Sequence, residues 1–543
     1  MPAGLEDRIR RIGLEIFARA RAAEPSVLRP DWWLNRLLDY TTAHPRRKVQ
    51  LFRFIDVLPT LNDGREVVRH LAEYLLCADV PLPAAIRRVL KSAAGGAGYQ
   101  ALLAWMVRQG ALRMARRFIA GRTPAEAVAT ILRLRSAGMA FTVDILGEAT
   151  TSDRQADRYA GQYLELIRSL AAAARQWPTV EVIDRAAGGP MPRVNVSLKP
   201  SSLDPTFDPI APRRSIERML ARLRPILREA QRLGAFVNLD VEQYKYKDLT
   251  LRAFREVLME PEFRAFTDVG IVVQAYLADA PADLDELLDW VRRRGAPVAV
   301  RLVKGAYWDY ETAWAVQQGW PMPVLTEKWR SDAQFERLAR RLLESRGLVR
   351  PALASHNVRS LAAAMAWAET IGARRDEFEF QMLYGMGDPL KAAVAGLDYC
   401  LRVYTPFGEL IPGMGYLIRR LLENTSNESF LKQGFSGRQP PEHLLVDPAV
   451  ARPPSPPLPS PVIIDPLEDS GMTPFSSEPV LDFTRDEVRR SFAEALAGVR
   501  GQFGRIWPLV IDGHTIRTER HLDSVNPSDQ AEVVGRVCLA GRD

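Results

Sequence analysis

RSIERMLARLRPILREAQRLGAFVNLDV, residues 214–241, carries the pattern on which the fold turns. From Arg214 to Leu233 apolar residues recur at helical spacing among charged ones, and after Gly234 the run Ala235–Val241 is short, apolar and β-rich. An amphipathic helix followed directly by a continuous apolar strand indicates a parallel sheet covered by helices, because a strand buried on both faces shows no polar alternation. The pattern repeats from about residue 139. Apolar β-rich runs stand at Met139–Leu146, Arg193–Leu198, Ala235–Val241, Gly270–Tyr276, Pro297–Val303, Pro351–Ser355, Phe378–Leu383 and Cys400–Tyr404. Amphipathic stretches lie between them at Asp153–Trp177, Arg214–Leu233, Ala282–Arg293, Asp332–Glu344, Val358–Ile371 and Pro389–Leu397. Eight such strands over about 290 residues match the size of a (β/α)8 barrel. The rival, a doubly wound sheet, has fewer strands and a glycine fingerprint after the first. No G-x-G-x-x-G occurs in the chain, so the reading is an α/β barrel.

Outward from the barrel, the first 110 residues read as a helical arm and cap, with a periodic stretch Leu5–Ala23, a helix start at Pro30-Asp31-Trp32-Trp33 and a break at Gly95-Gly96-Ala97-Gly98. The barrel is assigned to residues 111–435. A Pro-rich linker, 436–475, follows, with ten prolines between Pro440 and Pro466, a composition that favours stiff extended chain. Residues 476–543 open a further domain. Thr484-Arg485-Asp486-Glu487 has the form of a capping box that starts a helix reaching about Phe503, and Pro508–Gly513 with Val533–Val537 suggests a hairpin.

Composition narrows the class. At 543 residues, 47% hydrophobic and 26% charged, the chain exceeds one compact core but is otherwise ordinary. No run approaches the roughly 18–20 apolar residues of a membrane span, and Met1–Arg11 is charged, so neither a spanning nor a secreted protein is expected. Cys77, Cys400 and Cys538 are isolated, which fits a reducing cytoplasm and excludes a CxxC motif. The net charge of +7 permits contact with an acidic surface or nucleic acid without demonstrating either. Only nine of the 73 basic residues are lysines, so a lysine kept at a strand end, such as Lys199 or Lys304, points to a need for a compact ammonium.

Barrel enzymes place their active sites at the carboxyl ends of the strands. Those ends carry Asp144 and Glu148, Lys199, Asp240 and Glu242, Gln274, Arg301 and Lys304, His356 and Asn357, Gln381, and Tyr404. Polar groups gathered at one end indicate a functional mouth. The densest segment is Arg301-Leu302-Val303-Lys304-Gly305-Ala306-Tyr307-Trp308. Its two cations suit a phosphate or an anionic isoalloxazine ring, Gly305 allows close approach, and the aromatic rings suit stacking on a flat heterocycle. A second constellation is Tyr416, Arg419 and Arg420, which share one helical face after strand eight and form a clamp for a carboxylate. There the bland alternative is a solvated face with Glu423 paired to Arg419. Lys199 suits either a Schiff-base nucleophile or an anion partner. His356 has no second histidine or cysteine at ligand spacing, so no metal is expected and a cofactor hydrogen bond is the preferred role.

Together Val196-Ser197-Leu198-Lys199-Pro200-Ser201-Ser202-Leu203, Arg301–Trp308, Ser355-His356-Asn357, Phe380–Met386 and Tyr404 through Arg420 to Glu423-Asn424 resemble the proline dehydrogenase family. More narrowly, they resemble the front part of the bacterial bifunctional proline utilization A enzymes. The resemblance implies a distorted (β/α)8 barrel holding FAD. It implies oxidation of L-proline to Δ1-pyrroline-5-carboxylate by hydride transfer from C5 to flavin N5, with electrons passed to a quinone. It assigns Lys199, Arg419 and Arg420 to the proline carboxylate, Tyr307, Tyr404 and Tyr416 to the ring, and Asp240 to the same pocket. Gln274, Arg301, Lys304, Trp308, His356 and Glu423 fall to FAD or its supports, with Gly305 and Asn357 beside them. Ile511-Asp512-Gly513 and Asn526-Pro527-Ser528 resemble the opening of an aldehyde dehydrogenase domain, whose NAD site and glutamate semialdehyde oxidation would need a longer chain. A cytoplasmic location follows, with peripheral contact to the inner membrane and homo-oligomerisation left open. No ribbon-helix-helix segment precedes Leu5, so no nucleic-acid partner is expected. The alternative from a different chemistry is a Schiff-base lyase using Lys199 or Lys304 without flavin.

Overall fold

A computed structural model of the chain describes residues 4–23, 44–61, 63–76, 84–92, 97–147, 150–408, 440–451 and 477–542. It divides into two compact units, one formed by residues 1–208, 212–317 and 321–464 and the other by 209–211, 318–320 and 465–543. Tyr416, Arg419, Arg420 and Glu423 lie outside the described residues, as do Glu148, Cys77, Pro30–Trp33, Gly95-Gly96 and residues 452–476 of the Pro-rich stretch.

The first unit is built on eight parallel strands, β1 (Ala140–Ile145), β2 (Val194–Leu198), β3 (Ala235–Leu239), β4 (Val269–Gln274), β5 (Val298–Val303), β6 (Val349–Ala354), β7 (Glu379–Leu383) and β8 (Leu401–Phe407). Each pairs with its sequence neighbour, and β1 pairs with β8 from Ala140↔Arg402 to Ile145↔Phe407, which closes the barrel. All eight anticipated strands are present. The helices are α1 (Leu5–Ala22), α2 (Pro45–Val57), α3 (Gly64–Leu75), α4 (Ala84–Ser92), α5 (Ala97–Phe118), α6 (Pro124–Ser136), α7 (Asp153–Ala174), α8 (Pro212–Leu233), α9 (Tyr244–Val257), α10 (Ala280–Arg294), α11 (Trp308–Gln318), α12 (Lys328–Glu344), α13 (Val358–Thr370) and α14 (Asp388–Ala395). Among the described residues no helix is long and apolar enough to cross a membrane.

Alternation along the strands sorts the side chains. Val143, Val196, Leu198, Val237, Leu239, Ile271, Val300, Leu302, Leu353, Phe380 and Val403 are buried against the helices. The other face of the strands, toward the lumen, carries Thr142, Asp144, Asn195, Ser197, Asn238, Arg301, Gln381 and Arg402, all buried, and the half-buried Glu379. Branched apolar layers usually fill such a barrel. Here the lumen is polar through its depth, and low in it Glu379 takes a two-pronged ion pair from Arg402, each contact 2.8 Å.

Helix α1 packs on α13 and α14, burying Ile9, Ile12, Ile16, Phe17 and Ala20. Arg359 of α13 anchors it by bonding both Glu6 and Glu336. Helix α13 is apolar nearly all round, as a helix caught between barrel and arm must be. A separate small core of Phe54, Leu58, Val67, Val68, Leu71, Leu90 and Leu103 holds α2 to α5 together.

Three local expectations are corrected. At the start of the linker the described residues form short helical turns, Pro441–Leu444 and Pro448–Ala451, rather than extended chain. In the second unit the helix runs Asp486–Arg500, but the Thr484 hydroxyl bonds Asp482 Oδ1 at 2.5 Å and caps nothing, so the capping box does not form. The anticipated hairpin is two ribbons. Leu509–Ile511 pairs with His514–Ile516 across Asp512-Gly513, whose φ values of 49° and 78° suit a tight two-residue turn. Asp529–Cys538, which contains Val533–Val537, pairs instead with His521–Asn526.

Candidate active site

The sequence places one ionisable or polar group where each of several strands ends, and the fold turns those ends toward one another. Asp144 is the fifth residue of β1, Lys199 follows β2 directly, Asp240 follows β3, and Arg301 and Tyr404 stand within β5 and β8. Lys199 Nζ donates to Asp144 Oδ2 at 2.5 Å. Arg301 reaches across the lumen to Asp240 Oδ1 at 2.5 Å and to Ser197 Oγ at 2.9 Å. The Tyr404 hydroxyl donates to Asp240 Oδ2 at 2.8 Å, while the Arg301 guanidinium lies 5.4 Å from the centre of the Tyr404 ring. Asn238 Nδ2 completes the set with a 3.0 Å bond to Asp240 Oδ1. Two cations and two carboxylates are thus interlocked by contacts that span the barrel.

Burial opposes the Lys199 ammonium, but Asp144, Asp240 and Glu242 reverse that effect and hold its pKa above the ordinary lysine value. Burial likewise pushes the Asp144 carboxyl up, against the pull of Lys199. The ammonium has three N–H donors and Asp144 takes one of them, which leaves Lys199 able to meet an anion.

The Arg301–Trp308 segment divides between neighbours. Lys304 pairs with Asp332 of α12, whose second oxygen takes Lys328 at 2.7 Å. Burial draws the Lys304 pKa down against the attraction of Asp332. Gly305 has φ 130°, and a Cβ there would stand 2.3 Å from the Tyr276 ring, so only glycine fits. Tyr307 is half-buried at the start of α11, and Trp308 Nε1 donates to the Leu325 carbonyl at 3.0 Å. Gln274 holds the chain after β3 by donating to the carbonyls of Val241 and Glu242. His356 Nε2 accepts the Leu383 amide at 3.2 Å, so a neutral ring carries its proton on Nδ1. Asn357 caps α13 through the Ser360 amide.

The structure therefore brings Lys199, Asp240, Arg301 and Tyr404 into one cluster and places Gln274, Lys304, Gly305, Tyr307, Trp308, His356 and Asn357 around it in separate local contacts. Sequence reasoning passed over Ser197, Asn238, Glu379 and Arg402. The signal was available for the first two, since Val-Asn-Val-Ser-Leu and Phe-Val-Asn-Leu set polar residues at alternate positions of strands that should be apolar on both faces. Among the described residues no group of histidine, cysteine or carboxylate side chains could hold a metal ion.

Comparison with known proteins agrees with the barrel fold. A family model for proline dehydrogenase matches residues 127–433, and one for the proline utilization A N-terminal domain matches residues 6–118. The chain is similar to a crystal structure of proline utilization A from Bdellovibrio bacteriovorus inactivated by N-propargylglycine. Sequence identity is 41% and the TM-score 0.87, over 98% of this chain and 53% of that one. It is 32% identical over 345 residues to the bifunctional protein PutA of Escherichia coli K12, covering 62% of this chain and 25% of that protein. It is 30% identical over 330 residues to proline dehydrogenase of Deinococcus radiodurans, covering 61% of this chain and 92% of that protein. The chain thus spans a quarter to a third of the length of its bifunctional curated relatives.

Proposed function

The chain belongs to the proline dehydrogenase family, and from that premise we propose that its barrel oxidises L-proline to Δ1-pyrroline-5-carboxylate using FAD and passes the electrons to a quinone. The observation that carries the reading is the interlocked cluster of Lys199, Asp144, Asp240, Arg301 and Tyr404 at the carboxyl ends of the strands.

The lumen suits a flavin in its polar inventory. Arg301 Nε, Gln274 Oε1, Gln381 Oε1, Asn195 Oδ1 and Asp144 Oδ1 are buried polar atoms without a hydrogen-bond partner among the described residues, and such atoms call for a polar ligand or water. An isoalloxazine ring offers both donors and acceptors along its pyrimidine edge. Gln274, Arg301, Lys304, Gly305, Trp308, His356, Asn357 and Glu423 are the residues assigned to hold it. When bound, the flavin supplies the acceptor for the hydride that leaves proline C5.

The remaining work belongs to side chains. Lys199, Arg419 and Arg420 hold the substrate carboxylate, and Tyr307, Tyr404 and Tyr416 line the ring. Asp240 fixes the Tyr404 hydroxyl and Arg301 at once. Positive charge beside the amine lowers its pKa, which favours the neutral form whose lone pair assists departure of the hydride. The raised pKa of Lys199 and its contact with Asp144 oppose a Schiff-base lyase, which needs an uncharged amine. NAD-dependent semialdehyde oxidation and peripheral membrane contact belong, in this reading, to the longer bifunctional relatives.

The test is the visible absorption spectrum of the purified chain under anaerobic conditions, before and after L-proline. A flavin band that bleaches on adding proline is expected. A colourless protein that takes up no FAD, or a flavin that proline leaves oxidised, refutes the proposal.

A further inference from the structure

The segment that carries Asp240 leaves β3, passes through Val241-Glu242-Gln243 and begins α9 at Tyr244. Gln274 and Glu242 tie its first part to β4 and to Ser201. Its far end is held differently. Glu311 Oε1 accepts the Tyr244 amide at 2.7 Å, and Glu311 sits on α11, one turn after Tyr307, whose carbonyl accepts the Glu311 amide at 2.9 Å. A helix start leaves amides without partners, and α9 has no side-chain cap of its own at Gln243. The carboxylate from α11 supplies the missing acceptor and sets negative charge at the positive end of the helix. One buried side chain therefore links the segment bearing Asp240 to the segment bearing Gly305, Tyr307 and Trp308.

We propose that Glu311 is a positioning residue of the proline site, holding the Asp240 and Tyr307 segments in register through the Tyr244 amide. The inference rests on the proline-oxidising reading. Burial pushes the Glu311 carboxyl up to about 7, against the Tyr244 amide and Lys245. The titratable groups facing it are Lys245 on α9, Tyr276 after β4 and Tyr310 on its own helix, while Tyr244 meets it through the backbone amide alone. Lys245 is held above the ordinary lysine value and all three tyrosines above the ordinary tyrosine value, so none of them changes charge near pH 7. Tyr244 also donates its hydroxyl to Asp279 at 3.1 Å, where Lys247 binds the same oxygen at 2.6 Å, which fixes the other end of that residue. The ionised carboxylate is the stronger acceptor, so the link tightens as pH rises through about 7. Because the folded pKa is raised, stability is full below the ordinary carboxylate range and is lost as pH rises from there to about 7, so a firmer site comes with a less stable fold.

The experiment uses the full chain as wild type, Glu311→Gln and Glu311→Ala. Hydrogen exchange of the amides in 241–247 is followed against pH, corrected for intrinsic exchange, together with KM and kcat for proline. In the wild type, protection of these amides is expected to rise through about pH 7. Glu311→Gln keeps an acceptor oxygen and is expected to retain protection and KM within about twofold, with the pH step abolished. Glu311→Ala is expected to lose protection and to raise KM about tenfold, the lower bound for a charge-assisted hydrogen bond. Wild-type protection and KM in Glu311→Ala, or the wild-type pH step in Glu311→Gln, overturns the proposal. Exchange is read whether or not proline turns over, so a wild type without proline oxidation counts against the functional reading while the link stands or falls on its own signal.

Discussion

Replacing Lys199 by methionine isolates the most enclosed charge in the site. Asp144 has 0% exposure, Lys199 is its ion-pair partner at 2.5 Å, and its other oxygen is buried with no hydrogen bond among the described residues. At that separation and an effective dielectric of about 20 the attraction is about 7 kcal/mol. Removing two charges from water offsets much of it, at several kcal/mol per ion, so the pair as a whole contributes little. Removing one partner is another matter and costs about 3–5 kcal/mol, since the carboxylate stays buried alone. Burial already pushes the Asp144 carboxyl up, and without Lys199 its pKa rises further. A raised carboxyl pKa means stability that is present at low pH and lost as pH rises through the folded value. Lys199→Met is therefore expected to be near wild-type stability at about pH 5 and destabilised by about 3–5 kcal/mol at about pH 8. The double variant Asp144→Asn with Lys199→Met should recover at least half of that loss. Urea denaturation followed by tryptophan fluorescence at both pH values measures it. A loss that is equal at the two pH values and is not relieved by Asp144→Asn refutes the reasoning, because the buried carboxylate would then not be its source.

Other perturbations separate function from architecture. Arg301→Met strips Asp240 of its cation and is expected to lower the FAD-to-protein ratio or make the flavin harder to reduce. Arg301→Lys should restore only part, since a point charge cannot replace a planar fork, and a wild-type ratio and midpoint potential in Arg301→Met would return Arg301 to a structural role. Gly305→Ala forces a Cβ into the Tyr276 ring at φ 130°, which costs about 1–3 kcal/mol in backbone strain alone; an unchanged melting temperature would contradict the contact. Arg402→Met strips Glu379 of its ion-pair partner low in the lumen, leaving the Gln381 amide bonded to it, and should cost about 3–5 kcal/mol while KM for proline stays near wild type. Despite burial, Arg402 holds the Glu379 carboxyl below its ordinary range, so in the wild type that contribution is present above about pH 4.3 and lost as pH falls. In Arg402→Met the dependence should reverse, and denaturation midpoints against pH decide it.

Eight strands were legible because strands of a covered parallel sheet are dominated by apolar residues, unbroken in Val269–Val273 and interrupted only by a lumen-facing arginine in Val298–Val303 and Leu401–Val403. Helices α9 and α11 left no comparable trace. Tyr244-Lys245-Tyr246-Lys247 and Trp308-Asp309-Tyr310-Glu311 open with mixed polar and aromatic residues, and the acceptor that caps α9 comes from 67 positions away. The strand-end rule found Lys199, Asp240, Arg301 and Tyr404 because barrel topology alone brings those positions to one mouth. It could not say that Arg301 would be shared by Asp240 and Ser197, since partners across a lumen have no signature in local spacing. Thr484 shows the converse failure. Its motif was correct in form, but a nearer acceptor at Asp482 took the hydroxyl.

The packing of α1 sets a condition on how the chain is made. Its apolar face rests on α13 and α14, and its anchor Glu6 is bound by Arg359, 353 residues later. At about 5–20 residues per second, a ribosome needs roughly 20–70 s to deliver that partner. Through that interval Ile9, Ile12, Ile16 and Phe17 have no surface to cover them, and β1 waits a shorter time, roughly 13–50 s, for its partner β8, paired from Ala140 to Arg402. Synthesis therefore exposes a nascent amphipathic helix and an open sheet edge together, and cells making this protein must shield both until the last strand emerges.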